Sequence, residues 1–189
     1  MKTAILIFLL FGFSAPAFAY PEFQRYSKEV SGRPINCAIC HTHSDGPEGL
    51  KAGQIGSLNE EEKNALGLAR QAFKPGNSAK SPVLNDFGNK VLNDLGKEKL
   101  TELRNNPALL ASALSKTSDL DKDGITDAEE FLDGTQPLNS FDGHPWKLFV
   151  NNLAKNRFHI IMMVLATACG LFGLYNTLLW LGIRSSRRK

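Results

Sequence analysis

Methionine is nearly missing from the body of this chain. Of three among 189 residues, Met1 is the first residue and Met162 and Met163 fall in one long apolar run, so residues 2–161 offer no methionine sulfur to a metal. Cysteine is as scarce. Cys37 and Cys40 stand three apart and Cys169 lies inside the same apolar run, which excludes a small exported domain stapled by several disulfides. No useful length of sequence alternates apolar and polar residues, so strands are not expected. An excess of one charge is also lacking once the ends are set aside. Lys2, Arg184, Arg187, Arg188 and Lys189 account for the surplus, and residues 20–157 carry 17 Lys and Arg against 19 Asp and Glu. The basic pI of about 8.8 therefore gives no support to nucleic-acid binding.

What the ends do carry is membrane signalling. Met1-Lys2, the apolar run Ala4 to Phe13 and the small residues of Ala17-Phe18-Ala19 read as a secretory signal peptide, residues 1–19, cut after Ala19. An uncleaved anchor is the alternative, but the run falls short of the ~20 residues a span needs. Ile160 to Ile183 is 24 residues without a charge, about 36 Å as a helix against a hydrocarbon core of roughly 30 Å. It is expected to be a single transmembrane helix. The basic tail 184–189 is then cytoplasmic by the positive-inside bias, with the N-terminal domain outside and the protein in the cell inner membrane. Ala166 and Gly170, with Asn176, could support helix pairing and a homodimer.

Cys37-Ala38-Ile39-Cys40-His41 is the spacing of covalent haem c attachment. Each cysteine can form a thioether to a vinyl group, and the adjacent histidine falls under the iron as an axial ligand. Around this motif the chain reads as short helices separated by Gly/Pro loops. Glu22 to Glu29 gives a turn or two before Ser31-Gly32-Arg33-Pro34. Ser57-Leu58-Asn59-Glu60-Glu61-Glu62 opens a helix through Leu66, Ala69 and Phe73, stopped at Lys74-Pro75-Gly76. Leu84, Phe87, Val91, Leu92 and Leu95 lie at helical spacing, Leu100 to Leu103 is a further helix, and Pro107 opens another through Leu114.

Tyr20-Pro21-Glu22-Phe23 with Tyr26, then the CxxCH motif, then Leu84-Asn85-Asp86-Phe87-Gly88, resembles a group of exported bacterial c-type cytochrome domains. Those domains carry a Pro-x-Phe start, CxxCH and a Leu-Asn-x-Phe-Gly segment. The resemblance implies a mostly α, cytochrome c-like haem domain, here over residues 20–117. The gap between the last two motifs is longer than in that group and holds the helix around Glu60 to Phe73.

Residues 118–143 form a second module. Asp119, Asp121, Asp123, Asp127 and Glu130 take positions 1, 3, 5, 9 and 12 of a twelve-residue loop with Gly124 at position 6, the ligand spacing of an EF-hand-like calcium site. Ile125 would add a backbone carbonyl and Glu130 a bidentate carboxylate. Position 8 is Thr126, and Phe131-Leu132-Asp133-Gly134 leaves barely a turn of exit helix. Together with Gly134-Thr135-Gln136-Pro137, the loop resembles calcium-binding thrombospondin type 3 and dockerin-like repeats, and its role is expected to be structural. A solvated acidic loop is the alternative.

The second axial ligand of the haem stays open. His144, just after the calcium module, is one candidate, and an exposed histidine is the plain alternative. His43 is too near His41 to reach the opposite face, and His159 belongs to the membrane edge. With no protein ligand the iron would be five-coordinate. Residues 144–159, with Trp146, Phe149, Val150 and Leu153 at helical spacing among Lys147, Lys155 and Arg157, suit a helix at the lipid headgroups, or a simple extension of the span. The expected function is a membrane-anchored monohaem cytochrome, not an enzyme, relaying single electrons between membrane-bound and soluble redox proteins. The alternatives are a five-coordinate haem sensor or weak peroxidase, and a non-haem calcium-binding module whose Cys37 and Cys40 form a redox disulfide.

Overall fold

Pro21 opens the first helix of the computed structural model, which describes residues 21–72, 74–76 and 78–187. The expected signal peptide and its cleavage point lie outside the described residues, as do Tyr20, Phe73, Arg188 and Lys189. The described residues hold seven α-helices and no strand, the nearest approach being an isolated antiparallel bridge between His41 and Leu84. The chain divides into two units, one ending at His144 and the other beginning at Pro145.

In the first unit, α1 is Pro21–Ser31, with proline at its first turn, where the missing N–H has no helical partner to lose. It buries Phe23 and Ser27 one turn apart. Helix α2, Glu60–Arg70, starts with a capping box: Asn59 accepts from the Glu62 N–H and Glu62 returns the bond to the Asn59 N–H. Three glutamates in its first turn face the positive end of the helix dipole. Helix α3, Asp86–Leu103, begins after Asn85, whose side chain accepts from the Gly88 N–H. It buries Phe87, Val91, Leu92 and Leu95 on one face. Gly96, at φ 73°, breaks its backbone, so the two sequence segments Leu84–Leu95 and Leu100–Leu103 are joined across a kink. The N–H of Lys97, freed from the helix ladder, donates to the Ala72 carbonyl.

A 3₁₀ turn at Pro107–Leu109 leads into the short helix α4, Leu110–Ala113. Helix α5, Asp127–Asp133, follows the acidic loop and ends where Gly134 takes the left-handed conformation. Phe131 of α5 is completely buried, stacks on Tyr26 of α1, and joins Phe23, Ile39, Phe87, Val91 and Leu95 in the main core. Residues 118–143 therefore share a core with the region around Cys37–His41. A second apolar cluster, Leu58, Leu66 and Val83, lies separate from the first.

The second unit is α6, Pro145–Lys155, and α7, Arg157–Ser186. Backbone hydrogen bonds run across Asn156 between them. Trp146 and Phe149 of α6 stack at 5.6 Å and stay largely exposed together with Leu153. Helix α7 contains one segment, Arg157–Arg184, long and apolar enough to cross a membrane. Three of its polar side chains bond within the helix: Thr167, Asn176 and Thr177 donate to the carbonyls of Met163, Phe172 and Gly173.

Candidate functional site

Between the two apolar clusters lies a cavity of about 810 Å³, within the range of small-molecule and cofactor sites, ~300–1,000 Å³. Its wall takes Phe23, Ile39 and Val91 from the main core and Leu66 and Val83 from the second cluster, and Cys37, Cys40 and His41 line it as well. The helix in the long gap of the sequence is thus part of the wall, through Leu66, Ala69 and Arg70.

Local bonds explain how the three motif residues come to face one space. Cys37–Ile39 is a 3₁₀ turn capped by Asn36, whose side chain accepts from the Ala38 N–H. The His41 N–H donates to the Cys37 carbonyl at 2.9 Å. From the start of α3, the Asn85 side-chain amide donates to the carbonyls of Ala38 and Ile39 at 2.8 and 3.1 Å, and the Asn85 N–H donates to the Cys40 carbonyl. Leu84 forms the bridge with His41. Within the Leu84–Gly88 segment, Leu84 and Asn85 thus hold the Cys37–His41 turn, and Phe87 anchors the helix in the core.

Gly88 completes the fit. A side chain there would press on Leu84 and drive into the Cys40 carbonyl oxygen. Gly88→Ala is expected to cost about 1–3 kcal/mol or more, while Gly67→Ala on α2, where a Cβ meets nothing within 4 Å, should stabilise by roughly 1 kcal/mol. Thermal unfolding of both variants checks the difference in sign.

His41 is oriented by a backbone carbonyl. Its Nδ1 lies 3.1 Å from the Val83 carbonyl, which can only accept, so Nδ1 carries the proton and Nε2 keeps its lone pair. Metal-binding histidines are oriented in this way by the bond their other nitrogen makes. Burial lowers the imidazole pKa below its usual value, with the Val83 bond acting in the opposite sense. Burial also pushes the Cys40 thiol up to about 12, Cys37 adding to the effect, and raises Cys37 as well. Both are free thiols.

The chemistry of the lining fits a haem. An apolar wall suits the macrocycle, two thiols stand at thioether spacing, and one neutral imidazole is aimed by a backbone carbonyl. Arg70, Lys97 and Arg104 also border the space, and cations of this kind suit carboxylates. Among the described lining residues His41 is the one histidine, and there is no methionine. His144 is exposed and is not brought to the cavity wall. His43 is held in its own loop, where its Nδ1 accepts from the Asp45 N–H. His159, in the second unit, packs edge-on against Phe158.

The acidic loop is the other candidate site. One carboxylate oxygen from each of Asp119, Asp121 and Asp123 lies within 4.8 Å of the others. Backbone N–H groups shape the loop: Lys122 and Gly124 donate to Asp119, Asp123 donates to Asp121, and Ile125 donates to Asp123. Gly124, at φ 95°, makes the sharp turn. Glu130 is completely buried. Its Oε1 accepts from Thr135, whereas its Oε2 has no partner, and the same is true of one buried oxygen each on Asp121 and Asp123. Burial first, and then the charges of Asp121 and Asp123, push Glu130 up to about 8. Burial likewise pushes Asp121 up to about 6, its neighbouring aspartates adding to it.

Asp127, read from spacing as a ligand, is used differently. Its two oxygens accept from the Leu120 N–H and the Ser118 hydroxyl, which ties the start of the loop to α5. Ile125 is buried beside it. The capping box of Thr126 and Glu129 starts α5 and takes Glu129 out of the cluster. No protein-family model, curated protein or solved structure matches this chain.

Proposed function

We propose that this chain is a membrane-anchored, extracytoplasmic monohaem c-type cytochrome that relays single electrons between membrane-bound and soluble redox proteins. One observation carries the reading: Cys37, Cys40 and a His41 with Nδ1 held by Val83 converge on the same large apolar cavity. A haem bound there supplies a reversible one-electron couple at iron. The chain's own residues do the rest. Cys37 and Cys40 fix the group covalently, His41 offers Nε2, Asn85 holds the attachment turn, and the apolar wall limits water. Helix α7 serves as the anchor in the inner membrane, its basic end on the cytoplasmic side, and the exposed aromatic face of α6 suits the headgroup region.

Calcium is the second proposed cofactor, held by Asp119, Asp121, Asp123 and Glu130. Its support is the unpartnered, fully buried carboxylate oxygen of Glu130, since a buried charge without a partner is costly. Oxygen-only ligands suit calcium better than zinc.

The test is the absorption spectrum of the full chain from a host with haem c maturation machinery. A reversible iron couple supports the relay, and a protein without covalent haem overturns it. A second reading, an open-site haem sensor or weak peroxidase, is favoured by the described lining, which offers His41 as its only histidine and no methionine. Rapid carbon monoxide binding to the ferrous protein would select it over the relay.

A further inference from the structure

The end of the acidic loop makes direct contact with the haem-attachment turn. Gln136, two residues after the αL glycine that ends α5, donates from its side-chain amide to the Ala38 carbonyl at 2.9 Å. Ala38 sits between the two attachment cysteines, 98 residues away in sequence. Its carbonyl is therefore gripped from two sides, by Asn85 before α3 and by Gln136.

Glu130 and Gln136 are linked by short steps. The Thr135 N–H donates to the Glu130 carbonyl at 2.9 Å, and the Thr135 hydroxyl lies 3.3 Å from Glu130 Oε1. Thr135 and Pro137, on either side of Gln136, are buried. Phe131, next to Glu130, is fixed by its ring in the core and by the Ser27 hydroxyl on its carbonyl. Gly134 fits so closely against Ser31 and Ile35 that a Cβ has no room there. Glu130 and the segment that grips Ala38 thus share hydrogen bonds and neighbouring core positions.

Glu130 Oε2 is buried without a hydrogen-bond partner. The aspartate cluster has an independent pointer to a cation in this completely buried side chain, whose second oxygen has no partner. We propose that calcium binding at Asp119, Asp121, Asp123 and Glu130 is transmitted through Thr135 and Gln136 to the Ala38 carbonyl, so that calcium sets how firmly the Cys37–Cys40 turn is held for haem attachment. Gln136 is a positioning residue, acting through the turn. The inference rests on the calcium reading and gives the haem reading a regulated step.

Hydrogen exchange of the full chain in detergent, with calcium chloride or with chelator, tests it. Calcium is expected to slow exchange of the Cys37–His41 amides in the wild type by about threefold to tenfold, the worth of one net hydrogen bond. Gln136→Ala should lose that response while calcium still slows exchange in residues 119–133. Gln136→Glu, which keeps the length but has no donor, should behave like Gln136→Ala. Calcium protection confined to residues 119–133 in the wild type would overturn the coupling and leave the calcium reading intact. A response at Cys37–His41 that survives in Gln136→Ala would overturn the role of Gln136. No calcium effect anywhere would overturn both coupling and calcium site. Pyridine haemochrome assay of the same wild-type sample judges the haem reading separately, because the exchange response is expected with or without haem.

Discussion

The double variant Cys37→Ala/Cys40→Ala is expected to retain no haem after acid–acetone extraction, whereas under the proposed reading the wild-type chain should keep its haem and show a mass exceeding that of the polypeptide by one haem group. The expected effect is complete, because covalent attachment has no other thiol to use. Cys169 is the remaining cysteine, and it lies in the apolar segment of α7. Single variants should keep one thioether and hence some haem that resists extraction. Mass spectrometry of the intact protein distinguishes all four forms. A double variant that still holds haem covalently would remove these cysteines from the account. A wild type that releases all its haem would do the same.

Glu130→Gln is expected to change sign with calcium. In the presence of the ion, the variant loses a carboxylate from the site, and affinity should fall by on the order of 100-fold, since ligand charge tunes such loops over decades. A bound ion at about 1,000 times its dissociation constant stabilises by ~4 kcal/mol, and at about 10 times by ~1.4 kcal/mol, so the calcium-dependent rise in Tm, roughly 10 °C or more in the wild type, should fall to about a third. In chelator the order reverses. Glu130 is then a buried carboxyl with an unpartnered oxygen, and its neutral amide isostere is better tolerated.

The pH dependence follows with its own sign. With calcium removed, Glu130 has a folded pKa raised by burial to about 8 from 4.5. Folding then favours the protonated group. The unfolded chain gives up this proton first as pH rises, so the contribution of Glu130 to calcium-free stability is fully present below about 4.5 and is lost up to about 8. Asp121, raised to about 6, adds to the loss in the lower part of that window. Glu130→Gln should flatten the upper part. Calorimetric scans in chelator across this range check the slope, and a wild type that gains stability from about pH 6 to 8 without calcium would contradict the buried-carboxyl account.

Cys37, Cys40 and His41 were legible as one cluster because they stand at short fixed spacing, and the turn Cys37–Ile39 brings all three to one cavity. The long C-terminal helix was equally legible from 24 uncharged residues. Val83 was not, because it serves through a backbone carbonyl that any residue possesses. The roles of Asn85 and Gly88 were hidden in a segment recognised only by resemblance. The packing of a cap against the attachment turn gives that segment its physical meaning. The acidic loop was readable as a set of carboxylates but not as a set of roles, since Asp127 faces donors from Ser118 and Leu120 that spacing alone does not reveal. Gln136 could not be found at all from local pattern, its partner lying 98 residues away. His144 was proposed by elimination, and the structure leaves it exposed and off the cavity wall.

The most direct measurement is the reduced absorption spectrum of the full wild-type chain, with pyridine haemochrome assay, after export in a host that attaches haem c. One covalent haem per chain, with two thioethers and a reversible couple, is the predicted result. Folded, membrane-bound protein without covalent haem, made where a control cytochrome in the same host matures normally, would contradict the account.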